Sequence, residues 1–159
     1  MPFISKIIEK AVHRQLITYL DQNSLLSHFQ FGFRPKLSTE LAATYLLDNI
    51  RKNVDDDKLV GAVFIDVRKA FNTISHSKLL EKLPKYEIDR REYAWFEGYL
   101  FARKAVVSYN NCVSDEQELY SGVPQGSIFG PLLFIISFND ITDAIWHSRI
   151  VKYADDTVI

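Results

Sequence analysis

The stretch RIVKYADDTVI (residues 149–159) places two adjacent aspartates, Asp155 and Asp156, between two short apolar segments. Both flanking segments have the β-branched and aromatic content typical of strands. A tight turn between them predicts a hairpin that presents at least one carboxylate at its tip. An Asp-Asp pair alone is more often a solvated turn than a catalytic one, and the run Asp-Asp-Asp at residues 55–57 is interpreted in that way.

A second isolated acid, Asp66, makes the catalytic interpretation stronger. It follows the apolar run of residues 59–65, whose length and valine, isoleucine and phenylalanine content predict a buried strand. Apolar strands rarely end in a carboxylate that has no partner. Two strand ends could therefore bring Asp66 together with Asp155 and Asp156.

Converging carboxylates predict a bound cation. Two of them repel by roughly 4 kcal/mol at ~4 Å and an effective dielectric constant of ~20, so the cluster needs a proton or a hard cation. Ligands that are all oxygen favour Mg²⁺. Two such ions ~3.5–4 Å apart would stabilise the attacking and leaving oxygens of a phosphoryl displacement, so the residues predict nucleotidyl transfer.

Hydrophobic periodicity predicts two helices before these strands. In residues 5–20 apolar side chains recur every four positions, with Ser5 as an N-cap. Ser38, Thr39 and Glu40 indicate the start of a second helix. Its predicted apolar face consists of Ala43, Leu47, Ile50 and Val54.

The middle of the chain alternates helix and strand signals. Further helices are predicted at residues 76–83 and 89–100, the second with Asp89 and Glu92 as a capping pair. Residues 104–109 and 116–120 are strand candidates, as in a hairpin. The Gly/Pro-rich loop 122–130 leads into an apolar helix that begins near Pro131 and runs to about residue 145. Together these elements predict an α+β fold.

Composition restricts the class of protein. The chain of 159 residues is 47% hydrophobic, 13% aromatic and carries six glycines, which predicts a globular unit. No apolar run reaches the ~18 residues of a membrane span, so we expect an intracellular protein of the cytoplasm or nucleus that is not secreted. One cysteine excludes an internal disulfide, and the four histidines lack metal-ligand spacing and are expected at the surface or at caps. The net charge of −1 argues mildly against nucleic-acid binding.

Five blocks of sequence occur in the order found in reverse transcriptases of non-LTR retrotransposons. They are SKIIEK (5–10), QFGFR (30–34), FIDVRKAF (64–71), GVPQGSIFGPL (122–132) and YADD (153–156). YADD alone is a weak signal, but ordered blocks that include the rare PQGS string are specific. Because they cover nearly the whole chain, the chain resembles RNA-directed DNA polymerases of that family.

The resemblance implies a right-hand polymerase core. Residues 1–58 would contribute mainly to the fingers and residues 59–159 mainly to the palm, with an antiparallel palm sheet packed with helices and a finger-like insertion within 75–105. The implied core is truncated before the thumb. Implied partners are an RNA template, a DNA primer, deoxynucleoside triphosphates and the downstream palm and thumb regions of the same polyprotein, with no membrane. A near-neutral charge is tolerable in a fragment whose other domains grip the nucleic acid.

The resemblance also implies the catalytic residues. Asp66 and Asp155 resemble the two principal ligands of a pair of Mg²⁺ ions, for which Mn²⁺ could substitute. Asp156 stands beside them, and the carbonyl of Val67 is implied to face the same ions. Phe71 resembles the steric gate beneath the incoming sugar, where an aromatic ring would clash with a ribose 2′-OH and so select deoxynucleotides. Spacing alone favours Phe71 as a core residue, whereas the surrounding block favours the gate.

Four further residues are implied to bind the nucleotide. Gln125 and Gly126 resemble the loop against the nascent base pair, although a helix-entry turn also explains them. Arg34 resembles the fingers arginine that grips the triphosphate, against the alternative of an exposed solubilising arginine. Lys36 could replace the charge of a second arginine that the family usually has and this chain lacks.

Two other interpretations stay open at this level. One is a catalytically inert palm-fold relic that acts as an interaction module, and the loss of any of the three aspartates would have indicated it. The other is a reverse transcriptase of the group II intron type. An RNA-dependent RNA polymerase fits less well, because Phe71 would exclude ribonucleotides.

Overall fold

The computed structural model describes residues 3–101, 103–124 and 126–159. Within these ranges the helices and strands follow one another in the order α1 (Phe3–Gln22), α2 (Thr39–Asp55), β1 (Phe64–Ile65), α3 (His76–Lys82), α4 (Arg90–Leu100), β2 (Lys104–Ala105), β3 (Ser108–Tyr109), β4 (Cys112–Val113), β5 (Gln117–Glu118), α5 (Gly130–Ser137), β6 (Val151–Tyr153) and β7 (Asp156–Val158). Short 3₁₀ helices lie at Ala70–Asn72, Leu83–Tyr86 and Asn139–Ala144. The combination of helices with small antiparallel sheets is the α+β class that the sequence predicts.

The main hydrophobic core lies between the C-terminal half of α1 and helices α3, α4 and α5. It is filled by fully buried aliphatic side chains, among them Leu20, Leu79, Leu83, Leu100, Leu133 and Ile136. Phe129 also lies inside it, with its ring centroid 5.6–5.8 Å from those of Trp95, Phe96 and Tyr99. Burial of each such side chain contributes about 1.5–3 kcal/mol, so this core supplies most of the packing energy.

Strands β1, β7 and β6 form one antiparallel sheet in that order. A two-residue turn joins β6 to β7, and a segment at residues 29–31 extends the sheet beyond β6 in parallel orientation. The other face of this region is a small second core in which α2 packs on β6. It consists of Phe31, Ala42 and Val151, with Leu37, Tyr45, Leu46 and Tyr153 packed around them.

The predicted hairpin is confirmed, with shorter strands. β2 pairs with β5, and β3 pairs with β4 across Asn110 and Asn111, which both take positive φ. Asparagine tolerates that conformation better than most residues, and two positive φ angles give the turn the twist that a hairpin needs. Cys112 and Val113, which lie between the two strand candidates of the sequence interpretation, form the second strand of the tip.

Of the three predicted helix caps, one is confirmed. Ser38 is the N-cap of α2, and its hydroxyl accepts a hydrogen bond from Leu41 N at 3.3 Å. The prediction for Ser5 is wrong, because α1 is already helical at Phe3 and a cap needs non-helical backbone. Asp89 occupies the N-cap position of α4 but its side chain makes no capping hydrogen bond, so the predicted capping pair is also wrong.

The predicted apolar face of α2 is wrong, because the face that packs against the protein is offset from it by about one residue. Leu47 is 49% exposed and Val54 is 55% exposed, whereas Ala42 is buried. The packed side carries Tyr45, whose ring lies 5.8 Å from that of Phe31. Two neighbouring stripes of α2 are apolar, and the larger contact area of the tyrosine ring favours the one that faces β6.

The buried strand predicted at residues 59–65 is wrong. Only Phe64 and Ile65 form a strand, and Leu59 and Phe64 are exposed by 104% and 74%. Backbone pairing continues to Val63, whose N–H and carbonyl both bond to Ile159. The apolar run thus has the backbone of a strand at its end, but it occupies the edge of the sheet, where no second strand packs against it in the described part of the chain.

The helix predicted from Pro131 to about residue 145 ends earlier, at Ser137. Lys82 Nζ donates to the carbonyl of Ser137, and Lys152 Nζ donates to the carbonyls of Phe138 and Asn139. These lysines satisfy the carbonyls at which a longer helix would accept its own N–H groups. The chain continues as a 3₁₀ helix instead.

Candidate active site

The three aspartates lie at one end of the three-stranded sheet. Ile65 pairs with Thr157, so continuing that register by one residue places Asp66 opposite Asp156. Asp156 in turn pairs with Tyr153 across the hairpin, and Asp155 lies in the turn itself. Opposed residues of an antiparallel pair share a face and lie about 4.5–5.5 Å apart. The register therefore brings together the ends of the two segments that carry the predicted acids.

The donor set at this end of the sheet suits a hard divalent cation. Asp66 and Asp156 are exposed and Asp155 is half-buried, so their carboxylates are accessible. Across residues 3–101, 103–124 and 126–159, no three carboxylate, histidine or cysteine groups are assembled to hold a metal ion by themselves. An ion here would complete its shell with water and nucleotide phosphates, which is common for Mg²⁺. The residues fit such an ion on that condition.

The turn that carries Asp155 is held by the QFGFR block. Ala154 takes φ +57°, and its N–H donates to Gln30 Oε1 at 3.0 Å while its carbonyl accepts from Gln30 Nε2 at 3.2 Å. Gly32 lies against the same turn, since a Cβ at that position would be 2.1 Å from Ala154 N. Two blocks far apart in the chain therefore form one unit.

Phe71 joins three blocks of sequence. Its ring meets Phe33 edge-on at 5.9 Å and lies 5.2 Å from Phe134, and the side chain is half-buried. Its carbonyl accepts from Val123 N at 3.0 Å, directly before the PQGS loop. Phe71 is thus at once a core contact and a partly accessible ring beside the segment of Asp66.

The loop before α5 is anchored on both sides. Gly122 donates its N–H to the Ile74 carbonyl, and its own carbonyl lies 2.7 Å from His76 Nε2. Glu9, which is only 2% exposed, accepts from Ile128 N at 2.9 Å. His76 is 1% exposed and Ser75 is the N-cap of α3, so the expectation of a surface or capping position is wrong for His76.

Gly126 takes φ +77°, a conformation that favours glycine, and a Cβ there would meet nothing within 4 Å. Its backbone is exposed and open to approach. Gln125, the other predicted residue of this loop, lies outside the described residues. Ser127 Oγ accepts from Gly130 N at 2.9 Å and so supports the start of α5.

Arg34 is engaged within the protein. Its Nη2 forms an ion pair with Asp21 at 2.7 Å and its Nη1 donates to the Ser27 carbonyl at 3.0 Å, with a side chain only 14% exposed. It is therefore not the exposed solubilising arginine of the alternative interpretation. Lys36 is exposed on the same loop with φ +64°. The Val67 carbonyl accepts from Ala70 N at 3.1 Å.

Lys152 is a buried cation next to the YADD block. It is fully buried, and burial lowers its pKa to about 8, although Asp140 and Asp143 act in the opposite direction. Its ammonium group is held by two carbonyls at the end of α5. The lysine thus ties the strand before Asp155 to the main core.

Three polar residues with structural roles at this site went unassigned in the sequence interpretation: Gln30, Glu9 and Lys152. Each belongs to a recognisable block or borders one, and each is buried. A polar residue inside an apolar block is a signal that could have been used, because a buried polar group needs partners. Those partners lie 119 and 124 residues away for Glu9 and Gln30, which no local pattern reveals.

No helix in the described part of the chain has the length and apolar character that crossing a membrane requires.

A family model described as reverse transcriptase (RNA-dependent DNA polymerase) matches residues 1–159. In Drosophila melanogaster, the "Probable RNA-directed DNA polymerase from transposon BS" is 33% identical over 98% of this chain, and that from "transposon X-element" is 26% identical over the whole chain. The "RNA-directed DNA polymerase from mobile element jockey" of Drosophila funebris is 26% identical over the whole chain. The chain spans 18% of the length of each of these relatives.

Proposed function

The chain belongs to the reverse transcriptase family. We propose that it carries the nucleotidyl-transfer active site of a non-LTR retrotransposon RNA-directed DNA polymerase. The reaction is addition of deoxynucleotides to a primer 3′-OH on an RNA template, with release of pyrophosphate. The observation that carries the proposal is the strand register, in which the segments of Asp66 and Asp155 end side by side. The naming of the relatives after transposons favours this source over a group II intron enzyme.

Asp66 and Asp155 are the proposed principal ligands of two Mg²⁺ ions, which Mn²⁺ could replace, with Asp156 and the Val67 carbonyl beside them. When bound, such ions supply charge stabilisation to the attacking and leaving oxygens. The protein's own part is to hold the carboxylates on adjacent strand ends and to leave them open to solvent. Exposed, rotatable carboxylates on a fixed backbone suit ligands that share an ion with phosphate oxygens.

Phe71 is the proposed gate that excludes a ribose 2′-hydroxyl. Its ring is held on one side by Phe134 and on another by Phe33, so it cannot turn away easily when a nucleotide sugar approaches. A ring fixed in this manner discriminates by steric exclusion, because the repulsive contact costs most when the ring has nowhere to move. The proposed substrates are therefore deoxynucleoside triphosphates.

The remaining nucleotide contacts are proposed for Arg34, Lys36, Gln125 and Gly126. Gly126 offers exposed backbone next to which a base pair could lie. Arg34 would have to exchange its ion pair with Asp21 for the triphosphate. Charge favours that exchange, since a triphosphate carries more negative charge than one carboxylate.

Residues 1–58 are proposed to act mainly as fingers and residues 59–159 mainly as palm. The chain spans 18% of the length of its longer relatives. We propose that template and primer also contact regions of those polymerases outside the matched segment. Alignment of a primer 3′-OH with a nucleotide is worth ~7–11 kcal/mol of a barrier, so the contribution of those regions to activity should be large.

The test is a chimera in which this chain replaces the matching segment of the transposon BS polymerase. We expect it to extend a DNA primer on an RNA template with Mg²⁺ and deoxynucleotides, and Asp66→Asn or Asp155→Asn to lower kcat by about a thousandfold. Asp56→Asn is the matched control, because Asp56 is exposed and forms a surface ion pair with the neighbouring Lys58 at 2.8 Å. Extension at full rate by the Asp155→Asn chimera would contradict the catalytic assignment and favour the inert interaction module.

A further inference from the structure

The side-chain amide of Gln30 makes three hydrogen bonds at the turn that carries Asp155. The side chain is 1% exposed, and its Oε1 accepts from Gly32 N at 2.9 Å and from Ala154 N at 3.0 Å. Its Nε2 donates to the Ala154 carbonyl at 3.2 Å. Both backbone polar groups of Ala154 are thus bound by one side-chain amide.

The Gln30 amide makes two hydrogen bonds that strand backbone would make if the parallel ladder continued. Lys152 N bonds to the Phe29 carbonyl and Phe31 N bonds to the Lys152 carbonyl, both at 2.8 Å, as in a parallel ladder. Continued by two residues, such a ladder would bond Ala154 N to the Phe31 carbonyl and Phe33 N to the Ala154 carbonyl. The Gln30 side chain makes these two bonds instead, so it acts as a substitute peptide group at the end of the ladder.

The bonds matter because Ala154 is in an unfavourable conformation. A φ of +57° suits glycine or asparagine, and an alanine there costs of order 1 kcal/mol that the surroundings must offset. Gly32 closes the turn from the other side, at a distance that leaves no room for a side chain. The backbone conformation of Ala154 sets the direction of the chain at the next residue and therefore the orientation of Asp155.

We infer that Gln30 is a positioning residue that fixes the turn conformation of Ala154 and thereby the orientation of the Asp155 carboxylate. The inference rests on the proposed function for the role of Asp155, but the hold on the turn is a property of the chain itself. An ordinary buried glutamine would stabilise the whole domain and have no selective effect on this turn.

Amide hydrogen exchange of the 159-residue chain separates these two cases. Gln30→Met keeps the length of the side chain but removes its donor and acceptor. We expect exchange at Ala154 N–H to accelerate at least about tenfold, while Leu133 N–H, which bonds to the Phe129 carbonyl in the core, is unchanged. Gln22→Met, at an exposed glutamine of α1, is the control and should alter neither amide. Unchanged exchange at Ala154, or equal acceleration at Leu133, would overturn the inference.

A kinetic readout in the chimera tests the consequence for chemistry. Gln30→Met should lower kcat at least about tenfold and change KM for deoxynucleotide by a smaller factor, because the orientation of the Asp155 carboxylate matters most in the transition state. Equal changes in both constants, or none in either, would overturn the positioning role. If the unsubstituted chimera were inactive, the proposed function would be contradicted and the exchange result alone would decide whether Gln30 holds the turn.

Discussion

Asp155 and Asp66 reach the same end of the sheet on two segments that are held very differently. The turn of Asp155 is bound by a buried glutamine, closed by Gly32 and preceded by the buried Lys152. The segment before Asp66 is a sheet edge with exposed apolar side chains, and among the described residues its strand pairs on one side only. Two segments that end at the same place can therefore differ widely in how many contacts fix their backbone.

Two glycines give the largest expected contrast between these segments. Gly32→Ala would put a Cβ 2.1 Å from Ala154 N, and we expect it to lower the free energy of unfolding by about 4 kcal/mol, since backbone on both sides must move. Gly61→Ala, in the segment before Asp66, is the matched control because its Cβ would meet nothing within 4 Å. It should be neutral or slightly stabilising in chemical denaturation. Similar losses in both variants would show that the two segments are held alike.

Lys152 gives a contrast that depends on pH. Its folded pKa of about 8 lies below the ordinary value of 10.5, so the unfolded chain binds more protons between these values. The free energy of unfolding should therefore rise with pH through this window and stay lowered below it. Relative to Lys152→Met, the wild-type chain should gain about 3 kcal/mol from about pH 7 to about pH 11.

Lys58→Met, at an exposed lysine before the Asp66 segment, is the control for the loss of a lysine at the surface. Urea denaturation at a series of pH values measures both differences. A wild-type advantage over Lys152→Met that stays flat with pH would mean that Lys152 is accessible to water in the folded protein.

Apolar side chains should also behave differently in the two segments. Val151→Ser, in β6, removes a side chain that is 6% exposed and should cost about 2 kcal/mol. Leu59→Ser should change the free energy of unfolding by less than about 0.5 kcal/mol, because Leu59 is fully exposed. A cost at Leu59 equal to that at Val151 would restore the buried strand that the sequence predicts.

Local signals in the sequence predicted the parts of the fold that depend on neighbouring residues. The cap at Ser38, the hairpin around Asn110 and the Asp155 turn all arise from interactions within a few positions. The burial of residues 59–65 could not be predicted in the same way. An apolar run reports a tendency to form strand, whereas its burial depends on what packs on it from elsewhere in the chain.

The same distinction between local signals and long-range contacts applies to the candidate site. The order of the blocks predicted Asp66, Asp155 and Phe71 as site residues, and the register places Asp66 opposite Asp156, next to the turn that carries Asp155. Two contacts were not predictable: the ion pair of Arg34 with Asp21 and the hydrogen bonds of Gln30 to Ala154. Each satisfies a buried polar group with a partner that only the fold brings near. Long-range polar contacts carry no periodic signal.

The smallest expected effect concerns Phe71, which anchors the chain after Asp66. In the chimera, Phe71→Ala should lower the preference for deoxynucleotides over ribonucleotides, as a ratio of kcat/KM, at least tenfold, or about 1.4 kcal/mol. Phe138→Ala is the matched control, because Phe138 stacks at 5.4 Å on the same Phe134 ring that Phe71 contacts in a tilted arrangement at 5.2 Å. An unchanged ratio in Phe71→Ala would leave Phe71 as a core residue only.

The most direct test of whether the Asp155 turn and the Asp66 segment form one site is Mn²⁺ binding to the 159-residue chain. The binding is measured by paramagnetic broadening of backbone amide signals. We predict that Mn²⁺ broadens the amides of Asp66 and Asp155 together, and that Asp66→Asn reduces the broadening at both, since each carboxylate contributes to one shared ion position. Broadening at Asp155 that is unaffected by Asp66→Asn, with none at Asp66, would contradict a shared metal site.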